Sequence, residues 1–218
     1  MRRIALHLTG VVAVAVALCA AGGQAAPVTS LRVMTYNIWV GGTAAGQPLS
    51  RTADVIQAAQ ADVVGLQEQS GNAPALASML GFHYWTSGGS TAILSRYPIV
   101  ESFSQGAKIE LSPTQQAYVF DIHFAAYPYQ PYDFRDGIIT TEAQAIAAAQ
   151  ATRGGSVNGL LAGMSPAVAS GLPVFLTGDF NEPSHLDWTV EAAAAGLNFG
   201  KKVEWPTSRA VVGAGLAD

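Results

Sequence analysis

The stretch VFLTGDFNEP, residues 174–183, is launched by Pro173 and places a short β-forming run, 174–177, directly ahead of Gly178-Asp179-Phe180-Asn181. A run of this length, bounded by a proline and a glycine-containing turn, reads as a buried strand. A strand end is where a rigid scaffold can hand polar side chains to a cleft. Here the side chains delivered are Asp179 and Asn181.

Working outward, the same arrangement recurs. Residues 31–37 (LRVMTYN) alternate before Gly41 and Gly42 and read as a strand ending at Asn37. Pro48 and Ser50 open a helix that puts Ala53, Ile56 and Ala59 on one face, and the apolar run 63–66 follows, ending in Gln67 and Glu68. The order is strand, helix, strand. A helix over 73–80 is stopped by Gly81, and strands are expected at 82–87, 91–95, 99–103 and 117–124, the last carrying His123. Gly88-Gly89-Ser90 reads as a tight turn, since no helix follows to make it a phosphate cradle. Residues 125–135 hold two prolines among Tyr127, Tyr129, Tyr132 and Phe134, and read as a loop with aromatic walls. A helix is expected over 140–151, a Gly-, Ser- and Ala-rich stretch interrupted by Pro166 over 153–171, and a last helix over 186–195. No repeat of fixed period and no linker divides the chain, so one domain is expected.

Composition narrows the classes of function. Charged residues make up 12% of the 218-residue chain, about half the roughly 25% of an ordinary soluble domain, which excludes a disordered acidic or basic tail protein. With 11 basic against 15 acidic residues there is no general electrostatic footprint for gripping long nucleic acid. Arg2 and Arg3 precede an apolar run, 8–21, which gives way to Gly22, Gly23, Gln24 and Ala25. This has the form of a signal peptide over 1–25, too short for a stable membrane span, with residues 26–218 as the exported domain. A secreted or periplasmic location is the consequence. The one cysteine, Cys19, lies inside that leader behind a bulky Leu18, so neither a lipid anchor nor a disulfide framework is expected.

Taken singly, the polar strand ends have ordinary readings. An asparagine at a strand end is usually a turn residue, a glutamate after an apolar run a solvated cap, and a strand histidine a hydrogen-bonded structural group. The joint occurrence carries the inference. Together MTYNIW (34–39), VVGLQE (63–68), TAILSRYPI (91–99), DIHF (121–124) and GDFNEP (178–183) resemble the endonuclease/exonuclease/phosphatase superfamily, the deoxyribonuclease-I-like metal-dependent phosphohydrolases. The resemblance runs from Leu31 to Asp218. It implies an α/β fold, a four-layered α-β-β-α sandwich of two mostly antiparallel sheets flanked by helices, with the site at one edge where strand-end loops converge.

Carried over residue by residue, the resemblance makes Glu68 the principal metal-binding carboxylate and Asn37 the asparagine that helps place the metal. Asp179 orients or activates the attacking water, Asn181 donates to the phosphate, and His123 contacts a phosphate oxygen. The implied cofactor is Mg²⁺, with Mn²⁺ or Ca²⁺ as alternatives, because a hard cation favours carboxylate, amide and water oxygens. Tyr127, Tyr129 and Tyr132, with His185 and Trp188 just after the motif, are candidates for lining the substrate cleft; Trp188 can equally pack into the core. The family's terminal Asp-His pair has no counterpart here, and Leu216-Ala217-Asp218 looks like the opening of a further stretch. The expectation is a domain lacking the last strands of one sheet, inactive as written. The expected function of the completed protein is secreted, metal-dependent hydrolysis of a phosphate ester, small or lipid-borne rather than long nucleic acid, by a monomer. A secreted, non-catalytic ligand-binding module on the same sandwich is the alternative.

Overall fold

The computed structural model describes residues 27–218, so the leader expected over 1–25 lies outside the described residues. Strands β1 (Val33–Asn37), β2 (Val63–Gln67), β3 (His83–Thr86) and β4 (Ala92–Ser95) form one sheet in the order β1-β2-β4-β3. Strands β5 (Ile99–Phe103), β6 (Gly106–Ser112), β7 (Gln115–His123) and β8 (Val174–Asp179) form the other in sequence order. Each sheet is antiparallel except for one pair: β1 runs parallel to β2, and β7 parallel to β8.

Strand alternation sorts the residues into layers. Val64, Leu66, Ala92 and Leu94 face outward onto α1 (Ser50–Ala58) and α2 (Ala73–Leu80), through Ala53, Ile56, Leu76 and Ala77. Val63, Ile93, Ala107, Ile109, Ala117 and Val119 face the other way and meet between the sheets. On the far side Phe120 and Ile122 pack against Val157, Leu160, Met164 and Ala167 of the long helix α4 (Glu142–Ala169) and against Val211 of α6 (Pro206–Gly213). The expected four-layered α-β-β-α sandwich is therefore present.

The inner layer changes character along its length. Beyond the apolar patch the inward positions become Thr35, Gln67, Asp121 and Thr177, with Gly65 among them. Asp121 Oδ1 accepts from Gln67 Nε2 at 2.6 Å and from Thr177 Oγ1 at 2.9 Å. Gly65 makes this approach possible: a Cβ there would stand 1.9 Å from Thr177 Oγ1 and 2.5 Å from Asp121 Oδ1. Gly178 plays the matching role on β8, where a Cβ would meet Ile122 Cγ1 at 2.5 Å.

Several elements depart from the sequence reading. The stretch 153–171 is not an interruption: α4 runs unbroken for 28 residues, from a capping box between Thr141 and Gln144. Its glycines Gly155, Gly159 and Gly163 face open space, while Arg153, Val157, Leu160, Met164 and Ala167 recur every three or four residues along the buried side. Pro166 lies inside the helix, in its last turn, and costs it the backbone hydrogen bond to residue 162. The 125–135 loop closes with a short helix, α3 (Gln130–Arg135), and the helix expected over 186–195 shrinks to α5 (Val190–Ala194). Strand β6 and helix α6 had no distinct expectation, and Ala59, the residue that caps α1, is exposed, while Thr52 joins Ala53 and Ile56 on the buried face.

Burial holds the Asp121 carboxyl well above its ordinary value of 3.8, against the lowering effect of the hydrogen bonds from Thr177 and Gln67. A carboxyl that binds its proton more tightly folded than unfolded contributes stability that is present below the unfolded value and lost as the pH rises. Asp121→Asn keeps the acceptor and has no proton to lose. Its melting temperature is expected to gain on wild type as the pH rises above about 4; a constant or shrinking gap in thermal melts would contradict this.

Candidate active site

The two parallel pairs explain where the site lies. Parallel strands end together, and in register Asn37 stands beside Gln67 while His123 stands beside Asp179. The sandwich stacks these two pairs, one from each sheet, so four strand ends open at one edge.

There the polar side chains touch. Asn37 Nδ2 donates to Glu68 Oε1 and to Asp179 Oδ2, both at 3.0 Å, bridging the sheets. Its carbonyl Oδ1 accepts from the Trp39 amide at 3.0 Å, which fixes which way the amide faces. The Val40 amide donates to Glu68 Oε2 at 3.2 Å. Across the cleft His123 Nε2 stands 3.8 Å from Asp179 Oδ2, and Asp179 Oδ1 accepts from the Asn181 amide at 2.9 Å. Asn181 Nδ2 donates to the Phe124 carbonyl at 3.0 Å, tying the turn after β8 to the end of β7. The five residues expected to work together are thus assembled.

The backbone here is strained. Glu68 has φ of 58° and Asn181 of 49°, and Trp39 and Val40, at 46° and 52°, continue into Gly41 and Gly42 at 67° and 77°. A left-handed conformation costs a non-glycine residue of order 1–3 kcal/mol and persists where the surroundings over-determine it. The function of the left-handed turn is visible in its contacts: it points the Trp39 and Val40 amides at Asn37 and Glu68.

A cavity of about 600 Å³ opens beside Asp179 and Asn181, and Tyr127, Tyr129 and Tyr132 wall its other side. Tyr127 is 71% exposed, and Tyr129 meets Tyr132 edge-on with ring centroids 5.0 Å apart. Burial, with lesser contributions from Tyr132 and Asp179, raises the Tyr129 hydroxyl above its ordinary value, so it stays a neutral donor. The remaining two candidates lie elsewhere. Trp188 is a core residue, packed among Phe134, Trp205 and Val203 in the cluster that also buries Ala145 and Ala149 of α4. His185 is held by Ser208 of α6, with Nδ1 at 2.9 Å from the hydroxyl, and is not among the residues lining the cavity.

Ser90 is the residue the sequence concealed. Read as a tight turn, Gly88-Gly89-Ser90 instead brings Ser90 Oγ to 3.2 Å from His123 Nδ1. Gln69 anchors that turn by donating from its side chain to the Gly89 carbonyl at 2.7 Å. The Ser90 hydroxyl can donate to Nδ1 or accept from it; when it donates, Nε2 carries the ring proton and is a donor.

The donor set suits a hard cation. Glu68 Oε1 and Asp179 Oδ2 lie within hydrogen-bond reach of one asparagine nitrogen, which gathers carboxylate oxygens at one spot. Among the described residues no three of His, Cys, Asp and Glu cluster as a closed metal cage. One or two carboxylates with room for water is how Mg²⁺ is ordinarily held.

The Endonuclease/Exonuclease/phosphatase family model matches residues 34–215, and the chain belongs to that family. An uncharacterized protein of Caenorhabditis elegans is 27% identical over 197 residues, covering 82% of this chain; the chain spans 62% of that relative's length. Among solved structures, truncated C. elegans TDP2 is 18% identical with a TM-score of 0.47, covering 69% of this chain and 62% of its own. An AP endonuclease from Archaeoglobus fulgidus is 14% identical with a TM-score of 0.48, covering 85% and 70% respectively. The human Nocturnin catalytic domain with bound sulfate is 16% identical with a TM-score of 0.44, covering 69% and 64%.

The strained turn yields a direct test. Val40 is 55% exposed, so Val40→Gly loses little burial while relieving a β-branched residue at positive φ. Chemical denaturation is expected to show a gain of about 1 kcal/mol. A loss of stability would show that the turn is not strained.

Proposed function

We propose that this chain is the core of an exported, divalent-metal-dependent phosphoric ester hydrolase. The observation that carries the reading is the Asn37 amide bridging Glu68 of one sheet and Asp179 of the other at the common end of both parallel pairs. Family membership supports ester hydrolysis in general terms. The leader-like residues 1–25 support export, and among the described residues no helix is long and apolar enough to cross a membrane.

Glu68 would hold Mg²⁺ or Mn²⁺ with Asp179 beside it, and Asn37, whose Nδ2 donates to both carboxylates, would place them for the ion. The bound ion would supply charge neutralisation for the phosphoryl oxygens. Asp179, held by Asn37 and the Asn181 amide, presents carboxylate oxygen to a water and receives its proton as the water attacks in line. The second amide hydrogen of Asn181 donates to a phosphate oxygen without adding negative charge to an anionic site. With Ser90 donating to Nδ1, His123 donates from Nε2 to another phosphate oxygen and stabilises charge that develops there.

The cavity favours a small or lipid-borne ester over long nucleic acid. Among its described lining residues there is no lysine or arginine, whereas Asp179 and Glu182 are both present. Among the described residues β1 and β8 are edge strands, on either side of a groove of about 760 Å³ lined by Val33, Val174, Phe175 and Leu216. A further strand added at either edge would bring new side chains beside Asn37 or Asp179.

The full-length protein is expected to hydrolyse a generic phosphodiester only with Mg²⁺ or Mn²⁺, and Asp179→Ala should lower kcat by at least about a hundredfold. Turnover insensitive to chelator, or wild-type turnover in Asp179→Ala, would overturn the mechanism. Specific binding of a ligand through the tyrosines with no hydrolysis at all would establish the binding-module reading instead.

A further inference from the structure

Arg153 stands in a part of the sequence with no motif, in the middle of α4, yet it is fully buried. Its guanidinium is spent on one loop. Nε donates to the Ala125 carbonyl at 3.0 Å, Nη2 to the Pro128 carbonyl at 3.1 Å and to Ala126 at 3.4 Å, and Nη1 to Gln130 Oε1 at 2.8 Å. Gln130, itself buried, donates to the same Pro128 carbonyl at 3.0 Å. On its other side Nη1 lies 3.8 Å from Glu182 Oε2, a buried carboxylate oxygen with no hydrogen bond of its own. Glu182 Oε1 accepts from the Thr207 amide at 2.8 Å.

The geometry joins the two walls of the cavity. Three backbone carbonyls of 125–128 converge on the guanidinium, so this segment is held with Ala126, Tyr127 and Tyr129 facing Asp179 and Asn181 across the opening. Glu182, next to Asn181, is drawn to the same cation. Burying a guanidinium costs several kcal/mol unless its donors and charge are matched. Here the fork of donors matches the loop carbonyls, which would otherwise be orphaned in the interior. Lysine could replace the charge but not the fork, since its compact ammonium cannot reach acceptors spread over six residues, 125 to 130.

We propose that Arg153 is a positioning residue that sets substrate selectivity: by tying the 125–130 loop to the Glu182 turn, it holds the tyrosine wall at the distance an ester's organic group must fit, without touching substrate. The selectivity rests on the hydrolase reading above; the positioning does not. The recognised class is phosphate esters whose organic group is flat enough to lie against the rings.

The test uses the full-length protein with Arg153→Lys, Arg153→Met and Gln130→Leu. Two esters are compared: bis(4-nitrophenyl) phosphate, with an aryl group on each side of phosphorus, and methyl 4-nitrophenyl phosphate, with one. For the diaryl ester KM is expected to rise about tenfold in both Arg153 variants, equivalent to about 1.4 kcal/mol of binding, and less in Gln130→Leu. Its kcat should stay within about twofold, as should both constants for the methyl ester, because only ground-state and transition-state binding in common is lost. Amide hydrogen exchange over 126–130 should accelerate in Arg153→Lys while the β2 and β7 amides stay protected. Equal kcat losses on both esters would make the residue merely structural, and unchanged exchange would overturn the positioning. If Arg153→Met fails to fold, Arg153→Lys and Gln130→Leu decide the matter. If the wild type hydrolyses neither ester with Mg²⁺ or Mn²⁺, the hydrolase reading and the selectivity that rests on it fail together, and the exchange experiment still decides whether Arg153 positions the loop.

Discussion

The Asp121 carboxyl, wedged between two sheets, is the contact on which the active edge depends. It receives Gln67 from the first sheet and Thr177 from the second, and Gln67 Nε2 also reaches Thr35 Oγ1 at 3.2 Å. Thr35 then accepts the Gly178 amide at 3.0 Å. These contacts fix the separation of the sheets directly beneath Asn37 and Asp179. An apolar inner layer of the kind found around Val63 and Val119 would hold the sheets together, but without directional contacts to set the relative height of the strand ends. Burial pushes the Asp121 carboxyl toward its neutral form, because a charged carboxylate there would carry the penalty of burial with one oxygen unpaired.

Above that clamp, the site stores conformational strain where it needs direction. Glu68 and Asn181 each follow a strand and turn left-handed at once, which swings their side chains off the strand axis into the cleft. The cost is met by hydrogen bonds a relaxed turn could not form, from Val40 to Glu68 and from Asn181 to Phe124. Similar logic applies to Gly65 and Gly178, whose missing side chains let the sheets and the β7–β8 pair approach. The polar groups of the site are therefore held by neighbours within the sandwich, while the aromatic wall is held from outside it, by a helix. Rigid chemistry and an adjustable wall are then separable properties of one cavity, which is how a common phosphoester site can serve different organic groups.

Much of this was legible in the residues themselves. Strand runs ending in Asn37, Glu68, His123 and Asp179 are local patterns, and α2 is bounded by a glycine whose φ of 68° a left-handed cap requires. Other features were hidden for identifiable reasons. In α4, the glycines that advertise a break face solvent, and the buried spacing through Val157, Leu160 and Met164 outweighs them once a sheet face is there to receive it. Trp188 follows the motif closely in sequence yet faces Trp205 and Phe134, because adjacency along an irregular segment says nothing about direction. Ser90 and Arg153 serve the site through partners 33 and 23–28 residues away, and no local pattern records such a pairing.

The strand runs and the polar residues that end them were legible by themselves, since alternation and turn chemistry are written in neighbouring residues, while the layered sandwich followed from the resemblance of the motif strings to a known family. Only the tertiary structure decided that the two parallel pairs end at one edge, that Asn37 bridges Glu68 and Asp179, and that a buried arginine bonds the carbonyls of the loop that carries the tyrosines. Those are contacts between segments far apart in the chain, set by which faces pack and which buried polar groups must find partners.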